Sequence, residues 1–176
     1  MKALLVTLLL VPLMSFRDAD LKPVDAEEAV SFSIKNFGIA TKGSIKGLKG
    51  TIRWDAANPA AAAFNITLDV NTINTGITSR DNHLKKPEYF DVAKYPVISF
   101  ASTSISKAAE GFNVTGNLTI KGVTKQVSFP FTAVASNNGF LFEGEFTINR
   151  KDYNVGGSSM VLGNDVKVTL KVPSAP

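Results

Sequence analysis

The sequence predicts an all-β protein: one antiparallel sheet of eight strands, curled into a β-barrel and capped by a short helical segment at about residues 78–92. Three observations predict it. Apolar and polar residues alternate with a period of two through most of the chain, which puts one apolar and one polar face on each strand. Short turn signals such as AANP (56–59), KGVTK (121–125) and SNNG (136–139) separate the alternating stretches. A single long segment, between Ile73 and Val97, breaks the pattern. Eight such strands can close around a side-chain-filled or small-ligand interior; a two-sheet sandwich is the alternative.

The chain has 176 residues, which suits one domain with a real core. It opens with Lys2 and an apolar run from Ala3 to Met14, too short to cross a bilayer but right for a secretory signal. Residues 1–19 are expected to be removed, with Ser15 or Ala19 as the last signal residue. That leaves a domain over 20–176 and a periplasmic or secreted protein. There are no cysteines, so stability must come from the core alone and no N-terminal lipid anchor is expected. Without Lys2, Arg17 and Asp18 the chain keeps 17 basic against 14 acidic residues, a net +3. The basic residues are scattered along strands, which argues against nucleic acid as a partner.

The first strand carries Val30, Phe32 and Ile34 on its apolar face. IKGLKGTIRW (45–54) reads as a glycine-rich second strand, and FNITLDV (64–70) turns Phe64, Ile66, Leu68 and Val70 inward. Ile98 and Phe100 follow Pro96. FNVTGNLTI (112–120) places Phe112, Val114, Gly116, Leu118 and Ile120 on one face. QVSFPFTAV (126–134) contributes Val127, Phe129, Phe131 and Ala133; FLFEGEFTI (140–148) contributes Phe140, Phe142, Gly144, Phe146 and Ile148. VKVTLKV (166–172) closes the series with Val166, Val168, Leu170 and Val172. Twelve Phe in one chain either pack on each other or line an apolar cavity. Gly116 and Gly144 on otherwise bulky faces either let strands bend or leave a channel between the phenylalanines.

The interruption contains SRDNHLKKPEYFDVAKYP (79–96), with the only histidine, His83. Thr78 and Asp81 stand three apart, a capping-box spacing that predicts a helix through about Lys85. Pro87 suits the first turn of a second helical piece, PEYFDV. Leu84, Tyr89 and Phe90 would then lie against a barrel mouth. Catalysis finds little support: residues two apart on a helix face different ways, so Asp81 cannot orient His83, and no GxSxG elbow exists. One His without Cys argues against a metal site. GSIKGLKG (43–50) is not a phosphate-binding fingerprint.

VSFSIKNFG (30–38), GSIKGLKGTIRWD (43–55), SRDNHLKKPEYFDVAKYPVISF (79–100), VTGNLTIKGVTKQVSF (114–129) and INRKDYNVG (148–156) together resemble the YceI-like family of bacterial periplasmic proteins, from about Lys22 to Val172. The resemblance implies a lipocalin-like barrel enclosing a long apolar tunnel for a polyisoprenoid or a fatty-acid derivative. It places the family's RDxHL motif on Arg80, Asp81, His83 and Leu84 at the cap, and a later motif on Arg150, Asp152 and Tyr153, with Tyr where phenylalanine is common. The first strand departs from the family: Lys35–Asn36 stands where Lys–His is frequent.

The expected function is therefore an exported, non-enzymatic carrier or store of a long apolar lipid, with no cofactor besides the bound lipid. Its apolar tunnel is expected from Phe32, Ile34, Phe64, Ile66, Leu68, Phe100, Phe112, Val114, Gly116, Leu118, Phe129, Phe131, Phe140, Phe142, Gly144 and Phe146, its polar mouth from Arg80, Asp81, His83, Arg150 and Asp152, and its apolar cap from Leu84, Tyr89 and Phe90. A homodimer and a donor or acceptor in the membrane or envelope are left open as partners. Two other readings stand beside it: an enzyme acting on an isoprenoid-type lipid at the mouth, and a stress-related interaction protein.

Overall fold

Pairing follows the alternation just described. The computed structural model describes residues 20–136 and 138–176; the expected signal segment lies outside them. Among the described residues the strands are β1 (Lys22–Pro23), β2 (Val30–Asn36), β3 (Ile39–Ser44), β4 (Lys49–Arg53), β5 (Ala63–Asp69), β6 (Val97–Lys107), β7 (Phe112–Ile120), β8 (Val123–Ser136), β9 (Gly139–Asn149) and β10 (Leu162–Ala175), with one α-helix, α1 (Thr78–Leu84). They form a curled antiparallel sheet in the order β3-β2-β10-β9-β8-β7-β6-β5-β4, and β1 pairs with β10.

The two end strands of that order, β3 and β4, are consecutive in the chain, and residues 45–48 carry the backbone from one edge to the other. Ile45 N–H donates to Val30 O (3.1 Å) and Asp69 N–H to Lys46 O (3.1 Å), tying β2 and β5, the strands next to the two edges, to this crossing. The Asp25 carboxylate accepts the Gly47 and Leu48 N–H groups (3.0 and 3.1 Å), which no strand would satisfy. At the far end Leu21 exchanges two hydrogen bonds with Ile52 (2.9 and 2.8 Å) beside β1. β1 thus bridges β10 to β4 where the end strands part.

Nine strands along the sheet, plus the two-residue β1, replace the eight read from the sequence. The stretch 45–54 is not one strand: only 49–53 pairs with β5, while 39–44 pairs with β2. Ile39-Ala-Thr-Lys-Gly-Ser has no apolar alternation to reveal it. The turn before it does the work, because Phe37 and Gly38 both take positive φ (50° and 76°), the two-residue hairpin geometry that matches strand twist.

Two further readings of the interruption need correction. The helix exists, but Ile77 is its cap and Thr78 makes no side-chain cap. Asp81 instead accepts from the backbone N–H of Thr75 (2.9 Å) and from its hydroxyl, outside the helix. PEYFDV forms turns, not a helix: Asp91 takes φ 50°, and its carbonyl accepts from Lys94 and Tyr95 (2.9 and 2.8 Å).

The interior divides into two ends. At the closed end Trp54 is buried among Phe64, Phe112, Phe131, Phe140 and Phe142, with Phe112 and Phe142 edge-on at 4.7 and 5.5 Å. Around the other end pack Val30, Ile45, Leu48, Leu68, Val70, Ile73, Ile98, Ile120, Tyr153 and Val155. Pairing between β8 and β9 runs only from Ser136–Gly139 to Phe131–Gly144. Beyond it β8 stays on β7 and β9 on β10. The rings of Phe129 and Phe146, stacked at 4.3 Å, fill the slit on the inside.

Candidate apolar tunnel and its cap

Inward side chains from nearly every strand leave a cavity of about 270 Å³ between the two ends. Phe32 and Ile34 of β2, Phe64, Ile66 and Leu68 of β5, Phe100 of β6 and Leu118 of β7 line it. Phe129 and Phe131 of β8 and Phe142, Gly144 and Phe146 of β9 complete the wall that sequence predicts. Its polar neighbours are Asn36 and Thr41 on the β2–β3 hairpin, Thr75, Arg80 of α1 and Arg150, with Ser31 and Glu143 farther along the wall. An apolar cavity with polar groups near the cap can solvate a hydrocarbon chain and leave a polar head near water.

Four residues expected on this wall lie elsewhere. Phe112, Val114 and Phe140 belong to the closed end around Trp54, because β7 and β9 extend past the cavity floor. Gly116 faces inward, but the Phe100 ring occupies its space: a Cβ there would fall 2.5 Å from Phe100 Cζ and 2.6 Å from Ala101 O. Gly144 differs, since a Cβ there would stand 3.1 Å from Pro130 O and 3.3 Å or more from anything else.

The cap places its residues unequally. Leu84, Tyr89 and Phe90 reach the cavity, as does Arg80. Arg80 donates through Nε to Thr75 Oγ1 (2.7 Å) and through Nη2 to Thr75 O (2.6 Å), so Thr75 joins Arg80 and Asp81. His83 does not line the cavity. Its imidazole is half exposed, hydrogen-bonded to Glu88 Oε1 (3.2 Å) and edge-on to Tyr89 at 5.0 Å. The backbone N–H of Glu88, and after it His83, hold the Glu88 carboxyl below its ordinary range. Lys121 Nζ donates to Pro87 O and Asn154 O (both 2.8 Å), and Gly156 N–H to Glu88 O (2.9 Å). These bonds fasten the cap to two other loops.

Arg150, which the sequence places at a polar mouth, borders the cavity but is a buried clamp rather than a free head-group contact. It is 4% exposed and donates to the carbonyls of Gly163 (2.8 Å), Val155 (2.8 Å), Gly157 (3.0 Å) and Leu162 (3.5 Å), and to Asn164 Oδ1 (3.3 Å). Every nitrogen of the guanidinium is engaged with loop 155–164, so none is left for a ligand. Gly156 (φ 69°) lets the loop pass, since a Cβ would sit 2.8 Å from Arg150 Nη1 and 2.9 Å from Tyr89. Asp152 is exposed outside the β8–β9 slit, away from the cavity wall. Its neighbour Tyr153 is buried, and burial first, the Asp152 charge second, pushes its phenol above the usual tyrosine range.

Ile45, Leu48, Ile73, Tyr153, Val155 and Leu162 also line the wall, as do Val166, Val168, Leu170 and Val172, beyond the residues the sequence predicts there. The β10 set was visible as one alternating face. The loop residues carry no periodic signal, because their contact with the cavity depends on where the chain turns.

The sequence model of the YceI-like domain matches residues 22–173. Protein YceI of Salmonella arizonae is 33% identical over 150 residues, covering 81% of this chain and 78% of that one. Among solved structures, BcnA of Burkholderia cenocepacia superposes with a TM-score of 0.79 at 27% identity, over 89% of this chain and 96% of that one. A polyisoprenoid binding domain from Saccharophagus degradans shares the fold with a TM-score of 0.66 at 18% identity, over 89% and 98% of the two chains. With a match spanning nearly the whole barrel, the chain belongs to the YceI-like family.

Proposed function

We propose that this protein is an exported lipid-binding protein that holds the long apolar chain of a polyisoprenoid or fatty-acid derivative in its barrel, for transport or storage. The observation that carries the reading is the cavity: its wall is mostly Phe, Ile, Leu and Val, and most of its few polar neighbours come from the β2–β3 hairpin, the cap and the end of β9. Burial of a hydrocarbon gains about 0.8 kcal/mol per methylene, against several kcal/mol for lost freedom, so long chains are favoured over short ones. The polyisoprenoid-binding description of the Saccharophagus domain agrees with this choice of cargo. Export rests on the apolar segment Ala3–Met14 behind Lys2.

An enzyme would need an acid, base or nucleophile over the cavity end. His83, the expected candidate, bonds outward to Glu88, and Arg150 is consumed by its loop, which favours the carrier. Organic extraction of protein purified from an export-competent host, followed by mass spectrometry, tests the reading. One stoichiometric long-chain lipid and an N-terminus near Phe16 to Asp20 are expected. A protein that takes up no long-chain lipid even when offered it in detergent would overturn it.

A further inference from the structure

The most exposed large apolar side chains among the described residues are Met160, Phe37 and Ile39, at 104%, 73% and 72%. They are not scattered. Phe37 and Ile39 form the tip of the β2–β3 hairpin, and Phe37 N–H donates to the carbonyl of Val161 (2.8 Å), next to Met160. Asn36 pairs in register with Leu162, and both border the cavity. The exposed apolar side chains therefore stand on the rim of the tunnel mouth.

Two further facts give this rim a partner. From Ala29 to Trp54 the chain carries Lys35, Lys42, Lys46, Lys49 and Arg53 and no acidic residue. Lys35 and Lys42, both exposed, flank the hairpin tip itself. Residues 153–164 carry no charge at all, and Arg150 holds the carbonyls of this loop so that it keeps a fixed shape. Water-exposed Phe, Ile and Met with lysines behind them suit the boundary between acyl chains and anionic headgroups. A second copy joined about a two-fold axis would set Lys35 and Lys42 against like charge.

We propose that the rim formed by Phe37, Ile39, Met160 and Val161 docks on an anionic lipid bilayer, with Lys35 and Lys42 against the headgroups, so that cargo passes between tunnel and membrane through the mouth. This rests on the reading of the cavity as a lipid tunnel. The test is co-sedimentation with phosphatidylcholine vesicles with and without phosphatidylglycerol, using the wild-type chain and a Phe37→Asn, Met160→Gln double variant. Asn tolerates the positive φ at position 37, and neither position lines the cavity. Wild-type protein should partition onto phosphatidylglycerol vesicles, less so as salt rises, and the double variant should partition at least tenfold less. Loading of both from detergent should be equal. Equal vesicle binding by the two, or none by the wild type, would overturn the proposal. So would a concentration-dependent dimer that the double variant abolishes, which assigns the rim to self-association. Failure of both proteins to load from detergent, with vesicle binding intact, would overturn the tunnel reading and the passage of cargo with it, leaving a bare membrane contact.

Discussion

Replacing Gly144 by Leu should remove lipid while the barrel stays folded, and the same change at Gly116 should not. The two glycines look alike in sequence, each on an inward face between bulky residues. At Gly144 the new Cβ meets Pro130 O at 3.1 Å and Phe131 Cβ at 3.3 Å, a tight fit that a shift of a few tenths of an ångström relieves. That shift is available because β8–β9 pairing ends at Phe131–Gly144. The remaining leucine carbons then enter the cavity. At ~0.8 kcal/mol per methylene, three displaced methylenes cost the ligand about 2.4 kcal/mol, roughly 60-fold in affinity. The strain on the protein should stay within about 1–3 kcal/mol. At Gly116 the Cβ collides with the Ala101 carbonyl at 2.6 Å as well as with Phe100, so Gly116→Leu should unfold the sheet or drop its melting midpoint steeply. Circular dichroism reports the fold, and extraction with mass spectrometry together with titration of a fluorescent fatty acid reports the cavity. A folded Gly144→Leu protein that binds the probe as the wild type does would refute the placement of Gly144 on the tunnel wall. A stable Gly116→Leu protein would refute the steric argument for its neighbour.

Three other outcomes are expected. Arg150→Met should lower stability by roughly 3 kcal/mol or more, because it leaves several loop carbonyls without their donor, and Arg150→Lys should recover little, since one ammonium cannot span the fork of carbonyls; chemical denaturation measures both. His83→Ala should leave lipid content unchanged and the unfolding midpoint close to wild type, because its bond to Glu88 is solvent-exposed; loss of lipid from a folded variant would contradict its outward placement. Tyr153 should resist ionisation: with its folded pKa above the unfolded value of about 10, stability is full below that pH and is lost as pH climbs through the folded pKa. Ultraviolet titration of Tyr153→Phe against wild type checks this, and the variant should lose less stability in strong alkali.

The period-two pattern determined by itself that this is an antiparallel β protein and which face of β2, β5, β7, β8, β9 and β10 turns inward, because alternation along a pleated strand is a local property. It also located the cap, since 79–96 is where alternation stops, and the motifs in it resembled the right family. Depth along the barrel was decided only by the tertiary structure. Phe112 and Phe131 pair across β7 and β8, yet Phe112 joins the plug around Trp54 and Phe131 reaches the tunnel as well. Alternation reports which side of the sheet a residue faces but not its height along it. Gly116 and Gly144 separate for the same reason, one filled by a ring from the neighbouring strand and one left open. β3 escaped notice because its partner, through the Phe37–Gly38 turn, sets its conformation more than its own composition does. Arg150 read as a polar group at a mouth, but a guanidinium goes wherever carbonyls converge, and the five oxygens that hold it come together only when loop 155–164 folds back over the end of β9.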